Sequence, residues 1–258
     1  MQQGRVVVNG DVCTELGSKV VPSEDTVEVD GEVVSLPDTY IYLLVHKPEQ
    51  YITTTDDPKG RPIVMDLVPD KMPRIWPVGR LDWDSAGALI LTNDGKLTNL
   101  LTHPSHKVTK QYAVKVHGLL KNDDSKLERL RQGVEIEPGV VTQPAFINKV
   151  KDNGNNTWLD FIITEGKNRQ IRKMCDSIGH PVMKLRRYAI GPVTLEGLPA
   201  GSYRPLLHEE VEDLYEEVEA ELPERAIPSD RALKREREAV ERGGRYDVRF
   251  HGPGQKHK

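Results

Sequence analysis

Apolar residues in this 258-residue sequence are grouped in short stretches that are typical of β-strands. The longest of them, residues 40–45 and 86–91, fall far short of the ~18–20 apolar residues that a membrane-spanning helix needs. Strands are predicted at residues 40–45, 78–81, 88–92, 112–116, 158–164 and 182–185, and helices at residues 96–102, 125–132 and 168–178. Because these elements alternate without a strict strand–helix–strand rhythm, the sequence predicts an α+β fold with a mostly antiparallel sheet.

The segment 168–178 has the clearest helical pattern. Its apolar side chains follow the i, i+3, i+4, i+7 spacing of a buried stripe. They are Ile171, Met174, Cys175 and Ile178. The opposite face carries Arg169, Arg172 and Lys173, so we expect this helix to present a basic surface.

Charge is distributed unevenly along the chain. The formal net charge is −4, but residues 165–190 carry seven basic and two acidic side chains. Residues 205–224 carry nine carboxylates and no lysine or arginine, and their apolar edge predicts an acidic helix at 208–222. Residues 223–258 are expected to form a disordered basic tail. Because attraction to a polyanion depends on local patches, the negative total does not exclude RNA.

Neither a cofactor nor a metal site is predicted. Cys13 and Cys175 are too few and too far apart for a disulfide-rich scaffold or an all-cysteine zinc site. His103 and His106 have no cluster of further ligand types beside them, and the sequence has no phosphate-binding Walker-type loop. The first residues lack the apolar core of a secretion signal, so we expect a cytoplasmic protein.

The first 37 residues predict two β-hairpins and no helix. Asn9-Gly10 and Asp30-Gly31 each follow a short apolar stretch, and these dipeptides favour two-residue turns in which both positions take a positive φ. A unit of this size buries little apolar surface. On its own such a unit would be marginally stable, so it either packs on the rest of the chain or is a fragment of something longer.

The segment 77–95 is the most informative part of the sequence. Arg80 and Asp82 lie two residues apart at the predicted end of a strand, so their side chains share one face. A carboxylate beside a guanidinium stays ionised at neutral pH, which suits a nucleophile better than a proton donor. The residues alone leave two alternatives open: a structural ion pair at the edge of the sheet, or a pair of carboxylates that joins Asp82 with Asp84 or Asp94.

The same segment resembles the signature of a known enzyme family. Gly79-Arg80-Leu81-Asp82, with Ser85, Gly87 and the run at 89–95, is similar to the motif of the RsuA/RluB branch of ribosomal RNA pseudouridine synthases. Further segments agree with that family in order: 46–48, 110–114, 165–174, 185–187 and 190–192. The resemblance covers residues 40–207. Ser85 and Ala88 depart from it, since the family usually has Thr and Leu there.

This resemblance implies a pseudouridine synthase catalytic domain over residues 40–207. The implied enzyme is an isomerase that converts a uridine of ribosomal RNA to pseudouridine without a cofactor or metal. Asp82 is implied as the nucleophile, Arg172 as its basic partner and Tyr112 as the residue that stacks on the flipped-out uracil and takes the C5 proton. The residues expected to bind RNA are Lys47, Arg80, Arg169, Lys173, Leu185, Arg186 and Arg187.

The expected partner is ribosomal RNA or a ribosomal precursor particle, bound by a monomer and without a membrane. Large-subunit RNA is preferred over small-subunit RNA on overall resemblance alone. Residues 1–37 resemble the second half of an S4-like RNA-binding domain, without the helical hairpin that precedes it in that domain. Either the chain begins late in that domain or the domain has degenerated.

Two other functions remain open at this point. A non-catalytic RNA-binding or ribosome-assembly factor on the same fold would keep the basic patches and have no use for Asp82. A glycoside or nucleoside hydrolase that pairs Asp82 with Asp84 or Asp94 would release free base or sugar.

Overall fold

The structure is a computed structural model that describes residues 1–21, 24–35, 39–70, 72–218 and 220. It divides into two units, of which the first covers Met1–Thr39 and the second begins at Tyr40. Within the described residues, no helix has the length and apolar character that crossing a membrane requires.

The first unit is a four-stranded antiparallel sheet in the order β2-β1-β3-β4. Its strands are β1 (Val6–Val8), β2 (Asp11–Val12), β3 (Val27–Val29) and β4 (Glu32–Val33). Asn9 and Gly10 join β1 to β2 with φ of 52° and 89°, and Asp30 and Gly31 join β3 to β4 with φ of 55° and 81°. The two predicted hairpins are therefore confirmed, while the S4-like character of residues 1–37 stays a prediction.

The second unit contains eleven further strands and four helices among its described residues. The strands are β5 (Tyr42–Lys47), β6 (Trp76–Pro77), β7 (Ala86–Thr92), β8 (Lys110–His117), β9 (Glu135–Glu137), β10 (Val140–Val141), β11 (Phe146–Asn153), β12 (Asn156–Ile163), β13 (Val182–Ile190), β14 (Val193–Thr194) and β15 (Tyr203–Pro205). The helices are α1 (Gly95–Thr102), α2 (Ser125–Gln132), α3 (Gln170–Ser177) and α4 (His208–Glu216).

Nine of these strands form one sheet with the main order β11-β12-β8-β13-β7-β5-β15, to which β14 adds beside β13 and β6 beside β7. Neighbouring strands are antiparallel except β13 and β7, which run parallel. Strands β9 and β10 form a separate hairpin. This arrangement confirms the predicted α+β class with a mostly antiparallel sheet.

Both faces of the large sheet are covered at β5. On one face, the α3 face, Leu43 and Val45 of β5 belong to a core that includes Ile171 of α3. On the other, the α4 face, Leu44 of β5 belongs to a second core that includes Leu214 of α4. Because β5 is buried on both faces, it is continuously apolar at its start instead of alternating.

The single parallel contact depends on a glycine. Gly87 of β7 lies beside Arg187 of β13, and its φ is 128°. A Cβ atom at this position would lie 2.1 Å from the carbonyl oxygen of Arg187. No side chain fits there, so Gly87 allows the two strands to approach each other.

Some predicted elements differ from the structure. The strand expected at 78–81 is wrong: β6 ends at Pro77, and Gly79 takes a left-handed φ of 72°. Strand β11 was not predicted, because the exposed Phe146 and Val150 do not alternate with buried positions in a simple pattern. The acidic helix expected at 208–222 is observed as His208–Glu216, and the tail at 223–258 lies outside the described residues.

Candidate active site

Asp82 lies on a turn that enters β7. The amide of Ser85 donates to the carbonyl oxygen of Asp82 at 3.1 Å and closes the turn. The Asp82 side chain is 32% exposed, whereas Leu81 before it and Ser85 after it are buried. The turn therefore presents one carboxylate to solvent from an otherwise buried segment.

The first half of this turn is fixed by the segment that follows β5. The hydroxyl of Thr53 donates to the carbonyl of Leu81 at 2.8 Å and accepts from its amide at 3.2 Å. The amide of Gln50 donates to the carbonyl of Trp83 at 2.7 Å. These bonds satisfy backbone groups that a buried loop would otherwise leave unpaired.

The side chain of Lys47 fixes the turn through hydrogen bonds to its backbone. Its ammonium group donates to the carbonyl oxygens of Ser85 at 2.7 Å, Asp82 at 3.0 Å and Pro48 at 3.0 Å, which uses all three hydrogens. Burial lowers the pKa of Lys47 to about 8, and the nearby charges of Asp82 and Asp84 oppose that shift. The expectation that Lys47 binds RNA is corrected, because its side chain is completely buried and fully hydrogen-bonded.

Arg172 reaches the turn from α3. Its Nη2 donates to the carbonyl of Asp84 at 2.7 Å and to the hydroxyl of Ser85 at 3.3 Å. The same nitrogen lies 3.2 Å from the Asp84 carboxylate, while Nε is buried without a partner among the described residues. The sequence analysis pairs Arg172 with Asp82, but in the structure its ion pair is with Asp84.

Arg169 lies one turn earlier and joins both carboxylates. Its guanidinium donates to the two oxygens of Asp84 at 3.1 and 3.0 Å, a bidentate geometry. Its Nη1 also lies 3.7 Å from Oδ2 of Asp82, beyond hydrogen-bond distance. Burial opposes ionisation of Asp84, but the hydrogen bonds from Arg169 and the charges of Arg172 and Arg169 outweigh it and lower the pKa of Asp84.

Tyr112 lies on the same sheet face as the turn. The strand registers place Phe161, Tyr112, Arg187, Gly87 and Lys47 in one row across the sheet. Residues directly opposite one another in a sheet share a face, and neighbouring strands are about 4.8 Å apart. Tyr112 is therefore two strands from β7, roughly 10 Å, and it is 9% exposed.

Arg187 is buried in the middle of this row. Its Nε donates to the carbonyl of Ala88 at 2.8 Å, and its Nη2 has no partner among the described residues. Burial, reinforced by the charge of Arg187, lowers the pKa of Lys110 to about 8. Of the cations in the described residues, only Arg169 and Arg172 form ion pairs with the carboxylates of the turn.

Two of the expected RNA-binding residues lie elsewhere. Leu185 is buried in the core of the α3 face. Arg186 is exposed, but strand alternation places it on the α4 face, where it lines an open cleft of about 630 Å³ with Tyr188 and Leu198. The expectation for Leu185 is corrected because its side chain is buried, whereas RNA binding by the exposed Arg186 stays a prediction.

Lys173 and Arg80, also expected to bind RNA, lie at the protein surface. Lys173 is held by Glu137 at 2.6 Å and by the carbonyl of Asn168 at 2.7 Å. The exposed side chain of Arg80 makes no hydrogen bond or ion pair with any part of the chain that the structure describes. Trp83, beside Asp82, is 42% exposed.

The structure also separates Asp94 from Asp82. Asp94 is completely buried, and its Oδ2 accepts hydrogen bonds from the hydroxyls of Tyr42 at 2.8 Å and Tyr215 at 2.5 Å. Its Oδ1 caps α1 by accepting from the amides of Lys96 and Leu97. A catalytic pair of Asp82 and Asp94 is therefore excluded, because no substrate reaches Asp94.

Sequence reasoning missed the residues that fix the turn, and it considered Asp84 only as a catalytic partner. Thr53 and Gln50 lie in a segment without a recognisable motif, so no signal identified them. The ion pairs of Asp84 could have been suspected from the sequence. Asp84 lies two residues after Asp82, and Arg169 and Arg172 lie three residues apart on one helix face.

Comparison with known proteins gives consistent results. The sequence model of a family described as "RNA pseudouridylate synthase" matches residues 41–177. An uncharacterized RNA pseudouridine synthase of Aquifex aeolicus is 41% identical over 84% of this chain and 86% of its own length. The ribosomal large subunit pseudouridine synthase B of Bacillus subtilis is 39% identical over 83% of this chain and 86% of its own length. A solved structure described as a pseudouridylate synthase is 26% identical, with a TM-score of 0.63 over 83% of this chain and 90% of that one.

Proposed function

The chain belongs to the RNA pseudouridylate synthase family, and we propose that it isomerises a uridine of large-subunit ribosomal RNA to pseudouridine. It is therefore an isomerase that acts on RNA. The choice of large-subunit RNA is supported by the similarity to the ribosomal large subunit pseudouridine synthase B of Bacillus subtilis. We also propose that it acts as a monomer in the cytoplasm, on RNA or on a ribosomal precursor particle.

The reaction rearranges bonds within one nucleotide. The bond between N1 of uracil and C1′ of ribose breaks, and a bond between C5 and C1′ forms. C5 then loses its proton and N1 gains one, so the step needs neither oxidant nor reductant. We assign the reacting carboxylate to Asp82, which attacks the ribose or assists departure of the base.

The observation that carries this proposal is the presentation of Asp82. Every carbonyl of residues 81–85 accepts a hydrogen bond, from Thr53, Lys47, Gln50 or Arg172. The side chain of Asp82 nevertheless stays accessible and free of hydrogen bonds from the described residues. A fixed backbone with an unoccupied carboxylate suits a nucleophile that must meet one atom of a bound nucleotide.

Tyr112 is the proposed stacking partner of the uracil and the acceptor of its C5 proton. It lies on the α3 face in the row that contains Lys47 and Arg187. A base in an RNA helix cannot reach such a position while stacked, so the uridine must be flipped out, at a cost of a few kcal/mol. Unpaired uridines are therefore the favoured targets.

The surrounding surface supplies the proposed RNA contacts. Arg80, Trp83 and Arg169 are exposed around the Asp82 carboxylate. Guanidinium groups bind phosphates, and an indole ring can stack on an unpaired base. Arg172 is assigned to positioning the turn, since its hydrogen bonds go to Asp84 and Ser85.

The test is release of tritium from ribosomal RNA labelled at uridine C5, which pseudouridine formation must expel. Wild type should release tritium from large-subunit RNA, and Asp82→Asn should reduce the rate below detection. Asp123→Asn is the matched control, because Asp123 is exposed on a loop and makes no contact with the site. Naked RNA and precursor particles are compared, with small-subunit RNA as the specificity control.

Each other outcome has a definite meaning. Release from small-subunit RNA alone would replace the proposed substrate. Free uracil in the product would favour a hydrolase. RNA binding without release from any substrate, with Asp82→Asn binding as tightly as wild type, would favour a non-catalytic factor.

A further inference from the structure

The core on the α4 face extends over only part of the large sheet. Its sheet residues come from β5, β7, β14 and the end of β13, and none comes from β11, β12 or β8. On the opposite side these three strands are buried, with Ile147, Phe161 and Val114 in the core of the α3 face. Within the described residues, the neighbouring strands β11-β12-β8-β13 thus have one side packed against a core and the other largely accessible.

We call this accessible side the open face, and the strand registers define its residues. Side chains directly opposite one another share a side of a sheet. The open face contains two complete rows across the four strands, which are Asn148, Asp160, Ala113 and Arg186, and Lys151, Trp158, Lys115 and Lys184. None of these side chains is buried.

The two rows carry a strong positive charge. Their four cations form no ion pair with any residue that the structure describes. Their carboxylate, Asp160, accepts a hydrogen bond from the hydroxyl of Tyr188 at 2.7 Å. The acidic helix α4 approaches only one end of the face, where Thr109 donates to Glu217 at 3.3 Å. Lys115 lies roughly 20 Å farther along the strand, so a positive region remains that attracts a polyanion.

An indole ring lies among these cations. Trp158 has Lys151 on one neighbouring strand and Lys115 on the other as direct cross-strand partners. It is half-buried, and Phe146 at the start of β11 adds a second ring that is 54% exposed. A four-stranded sheet with accessible rings and basic side chains suits single-stranded RNA, because bases stack on the rings and phosphates bind the cations.

We propose that the open face binds a single-stranded segment of the substrate RNA, with a base stacked on Trp158 and phosphates bound by Lys115 and Lys184. The proposal rests on the proposed function, because it takes RNA as the substrate. The open face lies on the side of the sheet opposite to Tyr112, so the segment bound there is not the one that enters the active site. A protein partner fits less well, since lysine is depleted in protein–protein interfaces.

The open cleft beside Arg186 is not part of the proposed site. It adjoins the open face through Arg186 and Tyr188, but its lining also includes Glu196. A carboxylate repels phosphate at short range. The RNA is therefore placed on the two rows and not in the cleft.

The binding test uses fluorescence anisotropy of an oligouridylate about 12 nucleotides long. Trp158→Leu should raise its Kd about tenfold or more, whereas Trp158→Phe keeps a ring and should raise it much less. Lys115→Gln/Lys184→Gln should reduce the slope of log Kd against log salt by about 1.4, because two phosphate contacts are lost. The exposed Lys121→Gln is the matched control and should leave the slope unchanged.

The lysine double variant tests the proposal even if Trp158→Leu is unstable, because these lysines form no ion pair with the described residues. A salt slope equal to that of wild type in this variant would overturn the proposal. An unchanged Kd in a folded Trp158→Leu protein would do the same.

A second measurement locates the RNA and does not depend on activity. Large-subunit RNA that contains thiouridine is photo-cross-linked to the full chain, and the linked peptides are identified by mass spectrometry. Cross-links should occur at Trp158 or Lys184 as well as around Trp83. Cross-links confined to the surroundings of Trp83 would contradict the proposal, and so would a dimer in sedimentation that Trp158→Leu dissociates. Cross-links at the open face without tritium release by wild type would count only against the proposed function.

Discussion

The ammonium nitrogen of Lys47 lies 3.0 Å from the carbonyl oxygen of Asp82 and 2.7 Å from that of Ser85. Asp82, the proposed nucleophile, is therefore held by its backbone, and its side chain accepts no hydrogen bond from the described residues. Lys47, Thr53 and Gln50 fix the backbone of the turn, whereas the proposed chemistry uses the side chain of Asp82.

Lys47→Met should damage catalysis more than stability. The substitution keeps the length of the side chain but leaves the carbonyls of Pro48 and Ser85 without their donor. We expect a loss of about 1–3 kcal/mol in the free energy of unfolding. We expect kcat to fall at least about tenfold, because the turn loses its fixed geometry. Urea unfolding and tritium release measure the two effects, and the exposed Lys121→Met is the control. A normal kcat would show that the turn does not need Lys47.

The buried lysine should also affect stability as a function of pH. Burial lowers the pKa of Lys47 to about 8 in the folded protein, against about 10.4 for an unfolded lysine. Between these values the unfolded chain binds more protons, so the free energy of unfolding gains a contribution that increases with pH. Below pH 8 that contribution is constant.

The measurement is urea unfolding between pH 7 and 10.5 for wild type and Lys47→Met. The rise over this range should be smaller in the variant. Lys110, whose pKa burial also lowers to about 8, supplies a parallel comparison through Lys110→Met. Identical slopes in wild type and Lys47→Met would contradict the prediction.

Gly87→Ala should be severely destabilising. The new methyl group would meet the Arg187 backbone at 2.1 Å, at a φ of 128° that side chains disfavour. We expect a loss of at least about 3 kcal/mol, measured by thermal or urea unfolding. Gly95→Ala is the matched control, since its Cβ meets nothing within 4 Å and it begins a helix. A variant as stable as wild type would mean that β7 and β13 can separate without cost.

Tyr112→Phe and Tyr112→Ala should separate the two roles proposed for this residue. Phe keeps a ring that can stack on uracil, so KM should change little, while kcat should fall because the hydroxyl no longer takes the C5 proton. Ala removes both functions and opens a cavity in the α3 face, so it should also raise KM and lower stability by about 3–5 kcal/mol. Steady-state tritium release gives kcat and KM for both variants and so separates stacking from proton transfer. Full kcat in Tyr112→Phe would assign the proton to another group.

The sequence predicted the site best where residue type determines the local structure. The period of Ile171, Met174 and Ile178 predicted α3, because a helix must bury one stripe. The Asn-Gly and Asp-Gly turns were predicted because few other residues accept their φ values. The motif around Asp82 predicts it as the nucleophile, and that role stays a prediction.

Contacts between distant segments could not be predicted in the same way. Lys47 was expected to bind RNA as part of the segment that matches the family's first motif. Its burial depends on three carbonyls that only the folded turn brings together. Arg169 and Arg172 share one helix face, so spacing alone could not show which of them approaches Asp82. Leu185 and Arg186 were expected to bind RNA from their resemblance to the family's closing strand, but strand alternation puts the first in the core and the second on the opposite face.

The parallel contact between β7 and β13 divides the large sheet into two antiparallel blocks. Its register consists of two residue pairs, Arg186 with Ala86 and Arg187 with Gly87. Asp82 precedes β7 in one block, whereas Tyr112 on β8 and the arginines of α3 come from the segment that builds the other. The proposed site thus spans a junction of two residue pairs, whereas β5 and β7 share six and β8 and β13 share seven. Amide protons of β7 and β13 at this junction should therefore exchange with solvent faster than those between β5 and β7, because opening the shorter pairing breaks fewer hydrogen bonds.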